Sequence, residues 1–118
     1  MKSNKLGRSY QDGEIIIKQG TIGDCFYIIQ EGEVEVVYES DEEEKVIAKL
    51  KESDFFGEMG IFEKDVRSCT VRAKGEAKIL TMDKRSLYSN IKKDPSLAFR
   101  LLEKMSSRIR ETNKHFGT

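Results

Sequence analysis

Long apolar runs are missing from this chain of 118 residues, and so is any leader in which a basic start passes into an apolar stretch. The first absence argues against a spanning helix, which needs roughly 18 or more apolar residues in succession, and the second against a secretory signal, so the expected location is the cytoplasm. Cysteine is scarce. Cys25 and Cys69 stand far apart and are too few for an iron-sulfur cluster or a structural zinc site on their own; they are read as reduced core thiols, with a disulfide left open by the sequence. His115 is the sole histidine, brings no metal-ligand spacing with it and is read as a surface residue. No Gly-x-Ser-x-Gly elbow, no Gly-x-x-x-x-Gly-Lys loop and no His-Glu-x-x-His pair is present. The expectation is therefore a non-enzyme without metal or cofactor.

Net charge is also absent, with 21 basic residues against 21 acidic, which argues against a general affinity for nucleic acid. The balance hides an asymmetry. Residues 1–83 hold 12 Lys or Arg against 18 Asp or Glu, whereas residues 84–118 hold 9 against 3. The run Asp41-Glu42-Glu43-Glu44 reads as a solvated hairpin tip rather than a metal site, because adjacent carboxylates cannot converge on one ion without a shaped loop. The basic third is either the polar face of helices or a surface for an acidic partner.

What the chain does contain is one small domain's worth of strand and helix, expected to span 1–118 as a single domain. Glu14 to Lys18, Cys25 to Gln30, Glu33 to Glu39 and Glu44 to Leu50 are short, rich in Ile, Val, Phe and Tyr, and separated by turn residues. Alternation points Val34, Val36, Val46, Ala48 and Leu50 inward. Thr70 to Ala73 and Lys78 to Met82 supply two further strand pieces. After residue 83 the period changes: Asp83 suits an N-cap for a helix carrying Leu87 and Ile91, and Asp94-Pro95 opens another with Leu97, Leu101, Met105 and Ile109 on one stripe and Ala98 and Leu102 beside it.

The segment richest in chemistry is Phe56 to Val71. Gly57 and Gly60 let the backbone come close to a ligand, and free amides at the start of a short helix attract an anion. Arg67 can close on the same anion with its fork of donors, while ionised Glu58 can only accept, which suits the hydroxyls of a sugar attached to that anion. A ribose joined to a phosphate satisfies both. The same spacing also fits an ordinary Glu58–Arg67 ion pair at a loop rim.

Phe56-Gly57-Glu58-Met59-Gly60 followed by Arg67-Ser68-Cys69-Thr70-Val71 resembles the phosphate-binding cassette of the cyclic-nucleotide-binding domains, and Asp12-Gly13-Glu14, Gly20, Phe26-Tyr27-Ile28-Ile29 and Gly32-Glu33-Val34 extend the likeness upstream. Val71-Arg72-Ala73-Lys74 and the helix from Pro95 are most similar to the effector domain of the bacterial catabolite activator protein. The resemblance implies a mainly β fold with α elements: an antiparallel, jelly-roll-like β-roll over about 10–83, a short cassette helix, and C-terminal helices over about 84–116. It implies that Glu58 accepts the ribose 2′-hydroxyl, that Arg67 pairs with the exocyclic phosphate oxygens, that Ser68 adds a hydroxyl donor, and that the amides of Gly60 and Cys69 complete an anion cradle. Cys69 stands where the family usually has Ala and is close to it in size.

The same likeness implies a sensor for cAMP or cGMP, with cAMP favoured because Ser68 lacks the methyl of the Thr common in cGMP-selective members. Ala48 and Leu50 are candidate base contacts or plain core. Thr112 and Asn113 fall where that branch reaches the adenine edge and are otherwise solvent-facing residues at a helix end. The apolar stripe, reaching Phe116, is long enough to serve as a homodimer seam. Neither nucleic acid nor membrane is expected as a partner of this chain itself. Other readings are the sensor portion of a transcription regulator whose DNA-binding part lies elsewhere, and a degenerate, nucleotide-free interaction module.

Overall fold

The computed structural model describes residues 7–57 and 65–115, with side chains considered over 7–57 and 66–110. The chain divides into two compact units, Met1–Lys84 and Arg85–Thr118. Among the described residues, eight strands build the first: β1 (Arg8–Tyr10), β2 (Ile15–Ile17), β3 (Ile22–Gly23), β4 (Cys25–Glu39), β5 (Glu44–Lys51), β6 (Phe55–Phe56), β7 (Asp65–Val66) and β8 (Thr70–Asp83). The larger sheet runs β1-β8-β4-β5, with β2 also on β8 and β6 also on β4, while β3 and β7 form a separate ribbon. Every pairing is antiparallel. This is the expected β-roll; its cassette helix falls outside the described residues.

Two long strands replace four expected short ones, and glycine explains why. Gly32 was read as a turn between strands, but β4 passes through it, with register shifts between Ile29 and Glu31 and between Glu31 and Glu33. Opposite it, β8 accommodates Gly75, Glu76 and Ala77 between Lys74, paired with Glu33, and Lys78, paired with Glu31. Extra residues of this kind are bulges, which bend a strand without ending it. Both glycines take left-handed φ, 89° at Gly32 and 72° at Gly75.

The core cluster gathers Tyr10, Ile17, Ile29, Val34, Phe56, Val71, Ala73, Ala77 and Ile79. On the other side of β4, Phe26 pairs in register with Met82 and meets Phe55 edge-on at 6.2 Å. The inward set read from alternation needs correction. Val34 is fully buried and Val36 and Leu50 pack half-buried against the cluster, but Val46 and Ala48 on β5 are exposed, and Val37, outside the expected set, is buried as well. A second irregularity lies between Val36 and Val37, so that Val36 pairs with Ala48 and Val37 with Val46. A one-residue slip moves side chains to the opposite face, and as the end strand of this order β5 has a neighbour on one side alone.

Between β4 and β5, Asp41, Glu42 and Glu43 form an exposed tip closed by the Ser40 amide and hydroxyl donating to the Glu43 carbonyl. Glu44 accepts from Arg72 Nη1 at 2.8 Å, and Arg72 Nε donates to Glu35 at 3.1 Å. These two carboxylates hold the Arg72 guanidinium above its ordinary pKa. Among the described residues no cluster of His, Cys, Asp or Glu is arranged to hold a metal, and both cysteines are free and half-buried.

The second unit holds α1 (Lys84–Lys93) and α2 (Ser96–His115). Leu87 is the buried residue of α1, with Ile91 half-buried. Asp94 caps α2 through its carboxylate, which accepts from the Ser96 amide at 3.2 Å and hydroxyl at 2.6 Å. Those hydrogen bonds hold its pKa below the usual carboxylate range. On α2, Leu97, Leu101 and Met105 share a half-buried side, whereas Phe99, Leu102 and Ile109 are exposed. Among the described residues no helix is long and apolar enough to cross a membrane.

The bulge makes a testable distinction between two glycines. A Cβ at Gly32 would sit 2.5 Å from the Glu76 carbonyl oxygen and 2.9 Å from Ala77 Cα, whereas one at Gly75 meets nothing within 4 Å. In urea unfolding, Gly75→Ala should cost about 1 kcal/mol from φ alone. Gly32→Ala, with overlap added to strain, should cost about 2 to 4 kcal/mol.

Candidate functional site

The site is built where β6 ends. Phe56 pairs with Tyr27 across β4, and the two rings stack at 5.1 Å with an interplanar angle of 11°. This buried stack anchors the backbone at Gly57, which turns with φ 77°, a conformation costly for any residue with a Cβ. A Cβ there would also press within 3.1 Å of Arg67 Nη1. Glu58, Met59 and Gly60, which carry the expected sugar and anion contacts, lie outside the described residues.

Arg67 follows β7 and is buried, with 9% of its surface exposed. Its backbone is tied to the β2–β3 turn on both sides: the Gly20 amide donates to the Arg67 carbonyl at 2.8 Å, and the Arg67 amide donates to the Thr21 carbonyl at 2.7 Å. Its side chain reaches back across the sheet. Nη1 donates to the Gly57 carbonyl at 2.9 Å and Nη2 to the Cys25 carbonyl at 2.7 Å. Among the described residues no carboxylate forms an ion pair with it. A buried cation needs compensation, and carbonyl dipoles supply part of what a counterion would.

Ser68 is exposed and Cys69 half-buried beside it. Thr70 then enters β8 fully buried, and its hydroxyl accepts from the Gln19 amide at 2.9 Å. The Gln19 side chain exchanges two 2.8 Å hydrogen bonds with the backbone of Glu39, docking the β2–β3 turn on the end of β4 as a short strand would. The turn that grips Arg67 is thereby fixed to both long strands.

A cavity of about 190 Å³ opens beside Arg67, with Lys18, Thr21, Gly23, Asp24, Cys25 and Tyr27 on its walls. The Cys25 thiol donates to the Tyr27 hydroxyl at 3.6 Å. Burial, chiefly, and that thiol push the Tyr27 phenol well above its ordinary pKa, against a smaller opposing pull from Arg67. Tyr27 therefore stays neutral beside the arginine and offers it no counter-charge.

Of the residues singled out in the sequence, Phe56, Gly57 and Arg67 come together directly, and Ser68 and Cys69 follow Arg67 along the chain. Ala48 and Leu50 lie on β5, Ala48 exposed and Leu50 half-buried. Thr112 and Asn113 belong to the last turn of α2, where side chains are outside the description. Sequence reading missed Gly23, the Cys25 carbonyl and the Tyr27 ring as neighbours of Arg67. Gly20 was marked in the sequence but gave no sign of which side chain its turn would face.

Comparison with known proteins adds a family to this geometry. The model of the cyclic nucleotide-binding domain matches residues 7–94. A cAMP-dependent protein kinase regulatory subunit of Schizosaccharomyces pombe is 44% identical over 75 residues, covering 64% of this chain and 18% of that protein. The chain spans about a fifth of the length of the kinase regulatory subunits it matches first. In fold, it is similar to a transcriptional regulator of Thermotoga maritima, with TM-score 0.81 and 23% identity over 98% of this chain and 95% of that one. It is also similar to the catabolite activator protein of Thermus thermophilus, with TM-score 0.79 and 23% identity over 97% of this chain and 55% of that one.

The Tyr27 environment predicts a late-titrating phenol. A phenol whose folded-state pKa exceeds its unfolded value of about 10 leaves stability intact below that pH and erodes it as the pH climbs further. Alkaline titration followed by tyrosinate absorbance should show a component ionising together with unfolding. Tyr27→Phe should remove that component and flatten the loss of stability in alkali; an unchanged titration would contradict the burial argument.

Proposed function

Because the chain belongs to the cyclic nucleotide-binding domain family, we propose that it is a cytoplasmic sensor which binds a cyclic purine nucleotide, cAMP in preference to cGMP, and signals by closure of its C-terminal helix. The observation that carries this reading is the buried Arg67 guanidinium, held by the carbonyls of Gly57 and Cys25 and paired with no carboxylate among the described residues. The remaining N–H groups of its fork suit the exocyclic oxygens of a cyclic phosphate, and the ligand's charge completes the compensation that two carbonyls begin. Ser68, exposed next to it, adds a hydroxyl donor, and the amides of Gly60 and Cys69 the rest of the cradle. Glu58 accepts the ribose 2′-hydroxyl. Ala48 and Leu50 on β5 offer an apolar surface for the base, and Thr112 and Asn113 reach its edge from α2.

Signalling follows from differential affinity. A nucleotide that touches both the cassette and α2 binds the closed arrangement more tightly and shifts the population toward it. The exposed Phe99, Leu102 and Ile109 leave α2 a second apolar side, which suits a seam with the same helix of another copy. No catalytic step is assigned: Arg67 and Ser68 supply binding groups but no activated water. Several of the sequence relatives are regulatory subunits of cAMP-dependent protein kinases by name, which supports reading the chain as a receiver of the ligand.

Calorimetry on the purified domain tests the site. Arg67→Ala should leave the fold intact and weaken cAMP binding by about 1.5 to 3 kcal/mol, the range for a lost charge-assisted contact. Unchanged affinity would remove Arg67 from the site, and a wild-type domain that binds neither nucleotide would mark the cassette as degenerate. In competition, cAMP should displace cGMP at lower concentration; the reverse order would refute the selectivity drawn from Ser68.

Truncation after Met105 tests the helix. It should weaken both nucleotide binding and self-association, whereas Thr112→Ala with Asn113→Ala should weaken binding more than association. A monomeric full-length domain whose affinity survives truncation would leave α2 neither seam nor lid.

A further inference from the structure

Gly23, the last residue of β3, is a glycine for a reason that its backbone does not supply. Gly13, Gly20, Gly32, Gly57 and Gly75 all take left-handed φ, but Gly23 is not among them, so a residue with a Cβ fits its conformation. Space is what it lacks. A Cβ built on Gly23 overlaps Nε, Cζ and Nη2 of Arg67, the charged head itself. That head cannot step aside freely, because Nη1 and Nη2 each hold a carbonyl, those of Gly57 and Cys25, and the Arg67 backbone is pinned to Gly20 and Thr21.

We propose that Gly23 is a positioning residue for ligand recognition: its bare backbone forms the slot that holds the Arg67 guanidinium between two carbonyls and so fixes which edge of the fork faces the ligand's phosphate. The inference rests on the reading of Arg67 as the phosphate-binding residue. It assigns Gly23 no contact with ligand. A methyl group in the slot pushes the head toward the adjoining cavity of about 190 Å³, where there is room for it, so that Gly23→Ala keeps the fold and loses the arginine's aim.

A double-mutant cycle separates this from a general packing role, since residues acting through one another are non-additive. The wild type, Gly23→Ala, Arg67→Ala and the double variant are titrated with cAMP. Gly23→Ala and Arg67→Ala should each weaken binding by about tenfold or more, and the double variant should bind no more weakly than Arg67→Ala alone. In the ligand-free protein, the Arg67 Nε–H resonance should move in Gly23→Ala. Wild-type affinity in Gly23→Ala, or losses that multiply in the double variant, would overturn the proposal. Should Gly23→Ala fail to fold, the double variant decides: a folded double variant identifies the Arg67 head as the obstacle and supports the slot, whereas an unfolded one shows that the methyl offends something else and refutes it. If Arg67→Ala alone leaves affinity unchanged, it is the phosphate-binding role of Arg67 that fails, and the inference falls with it.

Discussion

A buried guanidinium organises the functional end of this fold. Placing the Arg67 charge out of water costs far more than an ordinary side-chain hydrogen bond returns, so its surroundings must be fixed before it can be tolerated. Cys25 at the start of β4 and Gly57 just after β6 present the two carbonyls, and Gly23 clears the space between them. None of the three contributes a functional group of its own side chain to Arg67. The site is a backbone construction around one charge.

That construction explains why the sheet is tied as it is. Cys25 opens β4 and Gly57 follows β6, so one guanidinium joins the start of the central strand to the start of the cassette. The Tyr27–Phe56 stack fixes the same two segments from the core side. Gln19, bonded to Glu39 and to the chain at Thr70, fixes the turn that holds the Arg67 backbone. An anion arriving at the remaining donors would meet an arginine already oriented, and pre-organised donors lose less on binding than mobile ones.

Much of this was legible in the residues, and the exceptions have a common cause. Gly57 and Arg67 stood out because a glycine needed for a turn and a cation at fixed spacing are local signals. Gly32 reads as a turn in the sequence, since the φ > 0 that glycine permits serves a turn and a bulge equally, and only the partner strand distinguishes them. Val46 and Ala48 alternated correctly but ended exposed, because the shift at Val36 and Val37 and the position of β5 in the sheet are properties of pairing. The two-residue strands β3 and β7 are too short to carry a pattern. Gly23 was invisible as a site residue, because what it accommodates is a side chain distant in sequence.

The central claim is that Arg67 reads a phosphate. Affinity for cAMP set against affinity for adenosine, which shares base and ribose but has no phosphate, measures that claim most directly in the wild type and in Arg67→Ala. The account predicts that the wild type favours cAMP by about a hundredfold or more and that this advantage shrinks by about tenfold or more when the guanidinium is removed. An advantage of the same size in both proteins would contradict it.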